Sequence, residues 1–129
     1  MNGAAVGPKR RVVVADDEPA IAMLTAHVLE HFGWEVFQAL GGVEALAIAR
    51  AERVDLMLLD VMMPDLDGRD ACRMLKADEE LGRIPVVLLS AADEHTLQWR
   101  AAGADAFLQK PFDIYRLRDL AERLLADGA

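Results

Sequence analysis

Two periodicities alternate along this chain. Short apolar runs at Val12 to Ala15, Val36 to Ala39, Leu56 to Leu59, Val86 to Leu89 and Ala106 to Leu108 are dominated by Val, Leu and Ala. Runs this short, broken by Gly, Pro and Asp, predict strands. Between them the apolar residues recur every three or four positions. The first such stretch carries Ile21, Leu24, Val28 and Phe32 after Pro19, a residue suited to a helix start, and stops at Gly33. The others run over Val43 to Arg50, Gly68 to Lys76, Glu94 to Ala102 and Ile114 to Leu125.

Strands alternating with helices predict an α/β domain, because successive parallel strands need crossover connections, and the helices then cover both faces of a parallel sheet. The unbroken apolar character of the first, third and fourth strands agrees with burial on two sides. In such doubly wound folds ligands bind beyond the carboxyl ends of the strands, where strand order reverses. Asp16, Asp17, Asp60, Ser90 and Lys110 all stand at predicted strand ends. Ionised acids there are poorly solvated, so several converging on one edge need a cation or a shared chemical task.

A length of 129 residues bounds a single domain, expected over 11–126 with a flexible tail at 1–10 and a short one at 127–129. Hydrophobic residues make up 53% and aromatics only 5%, so the core is expected to be aliphatic. The formal charge of −8 argues against direct nucleic-acid binding, which needs a basic footprint, and Lys9, Arg10 and Arg11 read as a solubilising flank. Cys72 is the only cysteine, no signal segment precedes Pro8, and no apolar stretch approaches the ~18 residues that span a bilayer. A cytoplasmic protein without membrane association is expected.

Oxygen ligands without neighbouring His or Cys favour a hard cation such as Mg²⁺, which keeps waters and takes one or two carboxylates plus a phosphate. The Ser90 hydroxyl and Lys110 ammonium suit the remaining oxygens of a phosphoryl group. Four ordered motifs then carry a family resemblance: D-D-E-P after the first strand, D-V-M-M-P-D-L-D-G after the third, L-L-S-A-A after the fourth, and G-A-D-A-F-L-Q-K-P-F near the end. The chain resembles a receiver domain of a two-component response regulator, of the stand-alone type.

The resemblance implies a flavodoxin-like, five-stranded sheet of order 2-1-3-4-5 with five helices. It implies that Asp60 is the phosphoacceptor, taking its phosphoryl group from a histidine kinase or a histidine phosphotransfer protein. Asp16, Asp17, Asp60 and the backbone carbonyl of Met62 would hold Mg²⁺, with Lys110 and Ser90 on phosphoryl oxygens. Ser90 and Phe107 would form the switch, with Phe107 turning inward and altering the face made by the fourth helix, fifth strand and fifth helix. The Lys110-Pro111 bond is expected to be cis, and Gly68 to occupy a turn into the third helix. Self-catalysed phosphoryl transfer and autodephosphorylation are expected, without a separate enzyme activity.

Plainer readings stand beside these. Asp17 alone would read as a helix N-cap, Ser90 as a strand-end hydroxyl, Lys110 as a surface charge, and Asp65 and Asp67 as turn residues. The string H-V-L-E-H from His27 to His31 matches a zinc-protease pattern, but no third ligand accompanies it and exposure is the expected fate. Cys72 reads as a small core residue and Trp34 as a packing residue. Trp99 falls off the Leu97, Ala101, Ala104 stripe, so it is either a partner contact or a cover for apolar surface.

Rival functions fit less well. An aspartyl-phosphate hydrolase would want an acid where Met62 stands, and a flavin-binding domain would want Ser, Thr and Gly where Asp16, Asp17 and Glu18 lie. Few residues follow the last helix, so the signal is expected to leave by contact with a downstream protein target. The alternatives are a phosphate shuttle in a relay, or an interaction module without turnover.

Overall fold

Each anticipated strand forms, extended by no more than one residue at either end. The computed structural model describes residues 9–93 and 98–127, the side chain of residue 127 excepted. Its elements are β1 (Arg11–Ala15), α1 (Pro19–His31), β2 (Glu35–Ala39), α2 (Gly42–Ala51), β3 (Leu56–Asp60) and α3 (Gly68–Ala77), followed by a 3-10 turn (Leu81–Arg83), β4 (Val86–Ser90), β5 (Ala106–Gln109) and α4 (Ile114–Asp127). All pairings are parallel and the order is β2-β1-β3-β4-β5. Strand order therefore reverses between β1 and β3, which places a crevice at their carboxyl ends.

Alternate side chains of each strand feed opposite layers, as the pleat requires. Val13, Ala15, Met57, Leu59, Val86 and Leu88 face α2 and α3, meeting Ala45, Leu46, Ala49, Ala71, Cys72 and Leu75. Val12, Val14, Leu56, Leu58, Val87 and Leu89 face α1 and α4, meeting Leu29, Leu117, Ala121 and Leu125. β3 and β4 are buried along their whole length, so Asp60 and Ser90 end the two fully buried strands. Trp34 and Cys72 are buried core residues, and His27 and His31 are exposed, as anticipated.

One expectation about a helix is corrected, and a second stretch is described only at its end. On α1 the buried stripe is Ala22, Ala26 and Leu29, whereas Ile21 and Leu24 are exposed and Val28 and Phe32 only half-buried. Small side chains let the helix lie close to the sheet and turn its bulky residues outward. In the predicted fourth helical stretch, Glu94 to Leu97 lie outside the described residues. Residues 98–102 are turns: Ala101, Ala102 and Gly103 each donate to the carbonyl three residues back, and Gln98 has φ +51°. Such i→i−3 bonding and a left-handed residue are incompatible with a regular α-helix. Four α-helices are thus present among the described residues. The anticipated tails fall largely outside them, at 1–8 and 128–129.

Candidate functional site at the carboxyl edge of the sheet

Strand register assembles the site. Ala15 pairs with Leu59, which brings Asp16 beside Asp60 across the point of reversal. Asp60 pairs with Leu89, so Ser90 stands one residue further out on β4, and Ser90 itself pairs with Gln109, the neighbour of Lys110. Ser90 accepts from the Ala92 N–H at 3.1 Å, while its carbonyl receives the Lys110 N–H at 2.8 Å. The Lys110-Pro111 bond is cis. Among the described residues the buried polar side chains are Asp16, Asp60 and Ser90, at 3%, 5% and 1% exposure. Charge buried at that edge carries a desolvation cost.

Carboxylate oxygens of Asp16, Asp17 and Asp60 lie within 4.8 Å of one another. Lys110 Nζ reaches Asp16 Oδ2 at 3.0 Å and Asp60 Oδ2 at 3.3 Å. Burial is the largest influence on Asp60 and pushes its carboxyl up; Lys110 pulls it down, Asp16 pushes it up again, and the net shift is upward. Burial alone would lower Lys110, but the Asp16 and Asp60 carboxylates outweigh it and hold the ammonium above its ordinary range. One lysine thus balances an acidic trio incompletely. Three convergent oxygen donors with surplus negative charge, two of them buried, fit a hard divalent cation.

The N-cap reading of Asp17 does not hold, because the N-cap of α1 is Glu18 with no side-chain cap, and it is Asp16 Oδ1 that receives the Glu18 N–H at 2.9 Å. Met62 lies in the loop after Asp60, 66% exposed and with its N–H directed to Asp60 Oδ1 at 3.4 Å. Gly68 starts α3 so close to the β3 terminus that a methyl there would collide with the Asp60 carbonyl. Phe107 on β5 is half-buried and lies beneath Trp99, the rings stacked at 6.3 Å with 20° between planes. Trp99 also carries the Arg100 guanidinium at 4.6 Å. Trp99 packs against the α2/α3 core layer, so its covering role is real; of the stripe it was set against, Leu97 lies outside the described residues and Ala101 is exposed.

Asp67 caps α3, accepting the Arg69 N–H at 2.8 Å and pairing with the Arg69 guanidinium at 2.7 Å. Asp65 is not confined to its own turn. Its two oxygens receive the N–H groups of Gly42 and Val43 at the start of α2. Sequence reasoning missed this contact, although Gly41 and Gly42 where a capping side chain is usual were a signal. An apolar groove of about 510 Å³ opens beside Asp16 and Lys110, walled by Ile21, Leu24, Leu89 and Phe112. No described helix is long and apolar enough to cross a membrane.

A doubly wound sheet of this order, with acids, a lysine and a hydroxyl gathered at its switch point, defines a signalling domain of the receiver class. The family model of the response regulator receiver domain matches residues 12–122, and the chain belongs to that family. It is 35% identical over 118 residues to the protein PilH of Pseudomonas aeruginosa, covering 90% of this chain and 98% of that one. It is 38% identical over 117 residues to RpaA of Synechocystis, a DNA-binding dual master transcriptional regulator, covering 89% of this chain and 48% of RpaA. The chain spans about half the length of that relative. Among solved structures, the receiver domain of a Pseudomonas aeruginosa sensor histidine kinase superposes with a TM-score of 0.84 at 26% identity, covering 92% of this chain and 99% of that one. That structure has a magnesium ion coordinated in its active site cleft.

Proposed function

We propose that the chain is a phosphoacceptor in which Asp60 receives a phosphoryl group from a phosphohistidine on a histidine kinase or phosphotransfer protein. The observation that carries this reading is the confinement of the described buried polar side chains to one edge, with Lys110 bridging two of them. An Asp60 carboxylate oxygen attacks phosphorus, the P–N bond to the donor imidazole breaks, and the nitrogen keeps the bonding pair and is reprotonated from solvent. The products are an aspartyl phosphate and free histidine. Lys110 shifts from the carboxylates toward the new phosphoryl oxygens, and Ser90 donates its hydroxyl to another.

Asp16, Asp17, Asp60 and the carbonyl of Met62 are assigned as the Mg²⁺ holders. Bound there, the metal would neutralise charge on the equatorial oxygens of a loose transition state. Catalysis by the chain itself is then positioning and electrostatics, which the rigid ends of β1, β3 and β4 supply. Hydrolysis of the acyl phosphate by water at the same site would reset the switch.

A protein donor needs contact area around the acceptor. Ile21, Met23, Leu24 and Met62 are exposed near that edge, supporting docking of a protein there. For output, Ser90 moves toward the phosphoryl group and Phe107 turns inward, altering the face formed by Trp99, β5 and α4. Trp99, stacked on Phe107, is the reporter on that face and contacts a downstream protein target. Net charge makes nucleic acid an unsuitable direct partner, and a single buried thiol supports a cytoplasmic setting.

The test is incubation with Mg²⁺ and a small acyl phosphate, followed by intact mass. An acid-stable, base-labile phosphoryl adduct is expected, absent in Asp60→Asn. No adduct would replace this reading with a non-turnover interaction module. Trp99→Ala is expected to weaken target binding and leave labelling intact; equal affinity of mutant and wild type would remove Trp99 from the output face.

A further inference from the structure

Resting on the reading of Asp60 as phosphoacceptor, we propose that Asp65 is a positioning residue for the metal site: it locks the β3–α3 loop to the start of α2 through a space that Gly41 leaves open. α2 has no cap of its own, since its N-cap is Gly41. The cap comes from across the crevice, Asp65 Oδ1 receiving Gly42 N–H at 3.0 Å and Oδ2 receiving Val43 N–H at 3.1 Å. A Cβ on Gly41 would lie 2.5 Å from Asp65 Oδ2 and 2.7 Å from Oδ1. Gly41 has φ −174°, extended backbone open to any residue, so the carboxylate alone excludes a side chain. The next residue repeats the pattern, a Cβ on Gly42 falling 2.9 Å from both Cβ and carbonyl oxygen of Leu66.

The same loop is pinned at its base. Met63 and Gly68 both donate to the Val61 carbonyl, at 3.1 and 2.9 Å, and Gly68 abuts the Asp60 carbonyl. Met62 lies between the base and the lock with an exposed side chain that anchors nothing. Its carbonyl is therefore aimed by the fixed points around it: Val61, whose N–H bonds to the Leu89 carbonyl of β4 at 2.8 Å, and Asp65, whose side chain is bonded to α2. Both Asp65 oxygens are occupied by N–H groups, and Asp65 lines a cleft with Asp17, Gly41 and Pro64. Desolvation opposes its charge, yet the N–H groups of Val43 and Gly42 prevail and hold the carboxyl below its usual range.

The experiment is calorimetric titration of the full chain with Mg²⁺, with acyl phosphate labelling and thermal melting in parallel. Asp65→Ala is expected to weaken Mg²⁺ binding on the order of tenfold, the low end for groups that orient metal ligands. Gly41→Ala should reproduce that loss by displacing the carboxylate, and should add nothing in an Asp65→Ala background. Gly41→Ser in that background supplies α2 with a local cap; it is expected to restore melting temperature and leave Mg²⁺ affinity low. Recovery of Mg²⁺ affinity by the local cap would reduce Asp65 to a helix cap and overturn the proposal. Unchanged affinity in Asp65→Ala beside a wild type that binds Mg²⁺ and takes label overturns the proposal alone. A wild type that neither binds Mg²⁺ nor takes label removes the phosphoacceptor reading and the proposal with it.

Discussion

Replacing Asp60 by asparagine should stabilise the metal-free protein while abolishing the proposed phosphoryl acceptance. The side chain is 8% exposed and its carboxylate lies within 4.8 Å of those of Asp16 and Asp17. At an effective dielectric constant near 20, each like-charge contact at that distance costs on the order of 3 kcal/mol, and the Lys110 contact at 3.3 Å returns about 5 kcal/mol. The remainder, roughly 1 to 2 kcal/mol, is repulsion that an isosteric neutral side chain relieves. Relief of desolvation acts in the same direction, and Lys110 keeps Asp16 as a partner at 3.0 Å. For a domain of this size the gain corresponds to a rise in Tm of roughly 4 to 8 °C. The assay is thermal unfolding by circular dichroism in EDTA and again in Mg²⁺. With Mg²⁺ at a hundred times its Kd the wild type should gain about 2.7 kcal/mol, so its disadvantage should close or reverse. A variant that melts at or below the wild type in EDTA would refute the electrostatic account of this edge.

Asp67→Ala should cost about 1 kcal/mol in chemical denaturation, the typical value of an N-cap. The Arg69 side-chain hydrogen bond is the main reason the Asp67 carboxyl is lowered, so this stabilisation is complete above the ordinary aspartate value of 3.8 and fades as pH falls through the lower folded value. A gap between mutant and wild type that persists at the lowest pH values would contradict that assignment. Cys72 is buried and its thiol is pushed up to about 11, chiefly by burial, so a thiol reagent at pH 8 should react only after unfolding. Rapid labelling of the native protein would show the α3 packing to be wrong. Gly68→Ala should destabilise by about 1 to 3 kcal/mol through overpacking against the Asp60 carbonyl, and should weaken Mg²⁺ binding too; a variant as stable as wild type would show that α3 can retreat freely.

The sheet was legible because Val12 to Ala15, Leu56 to Leu59 and Val86 to Leu89 are buried on both faces, which forces continuous apolar runs. The candidate site was legible for the complementary reason: ionised acids at the tips of such runs are poorly solvated, so several together imply a cation or a shared task. α1 was misread because bulk was taken as burial. Ala22 and Ala26 carry the close contact, whereas Leu24 is 61% exposed. Of the fourth helical stretch only the end lies among the described residues, and there Gln98 adopts a left-handed conformation that spacing does not encode. Asp65 was missed because its partners are 22 and 23 residues away: the glycines at the start of α2 marked a missing cap without saying which residue supplies it.

The division of labour on α1 bears on how partners could be exchanged. Its attachment to the sheet rests on Ala22, Ala26 and Leu29, while Ile21, Met23 and Leu24 point outward. Substitutions at the outward positions cost the fold little, since surface changes away from such contacts usually stay within about 0.5 kcal/mol. A library varied at 21, 23 and 24 could therefore be screened for new binding specificities with most members still folded. The residues that hold α1 to the sheet and those it leaves outward are separate, so the outward set can change without disturbing the packing.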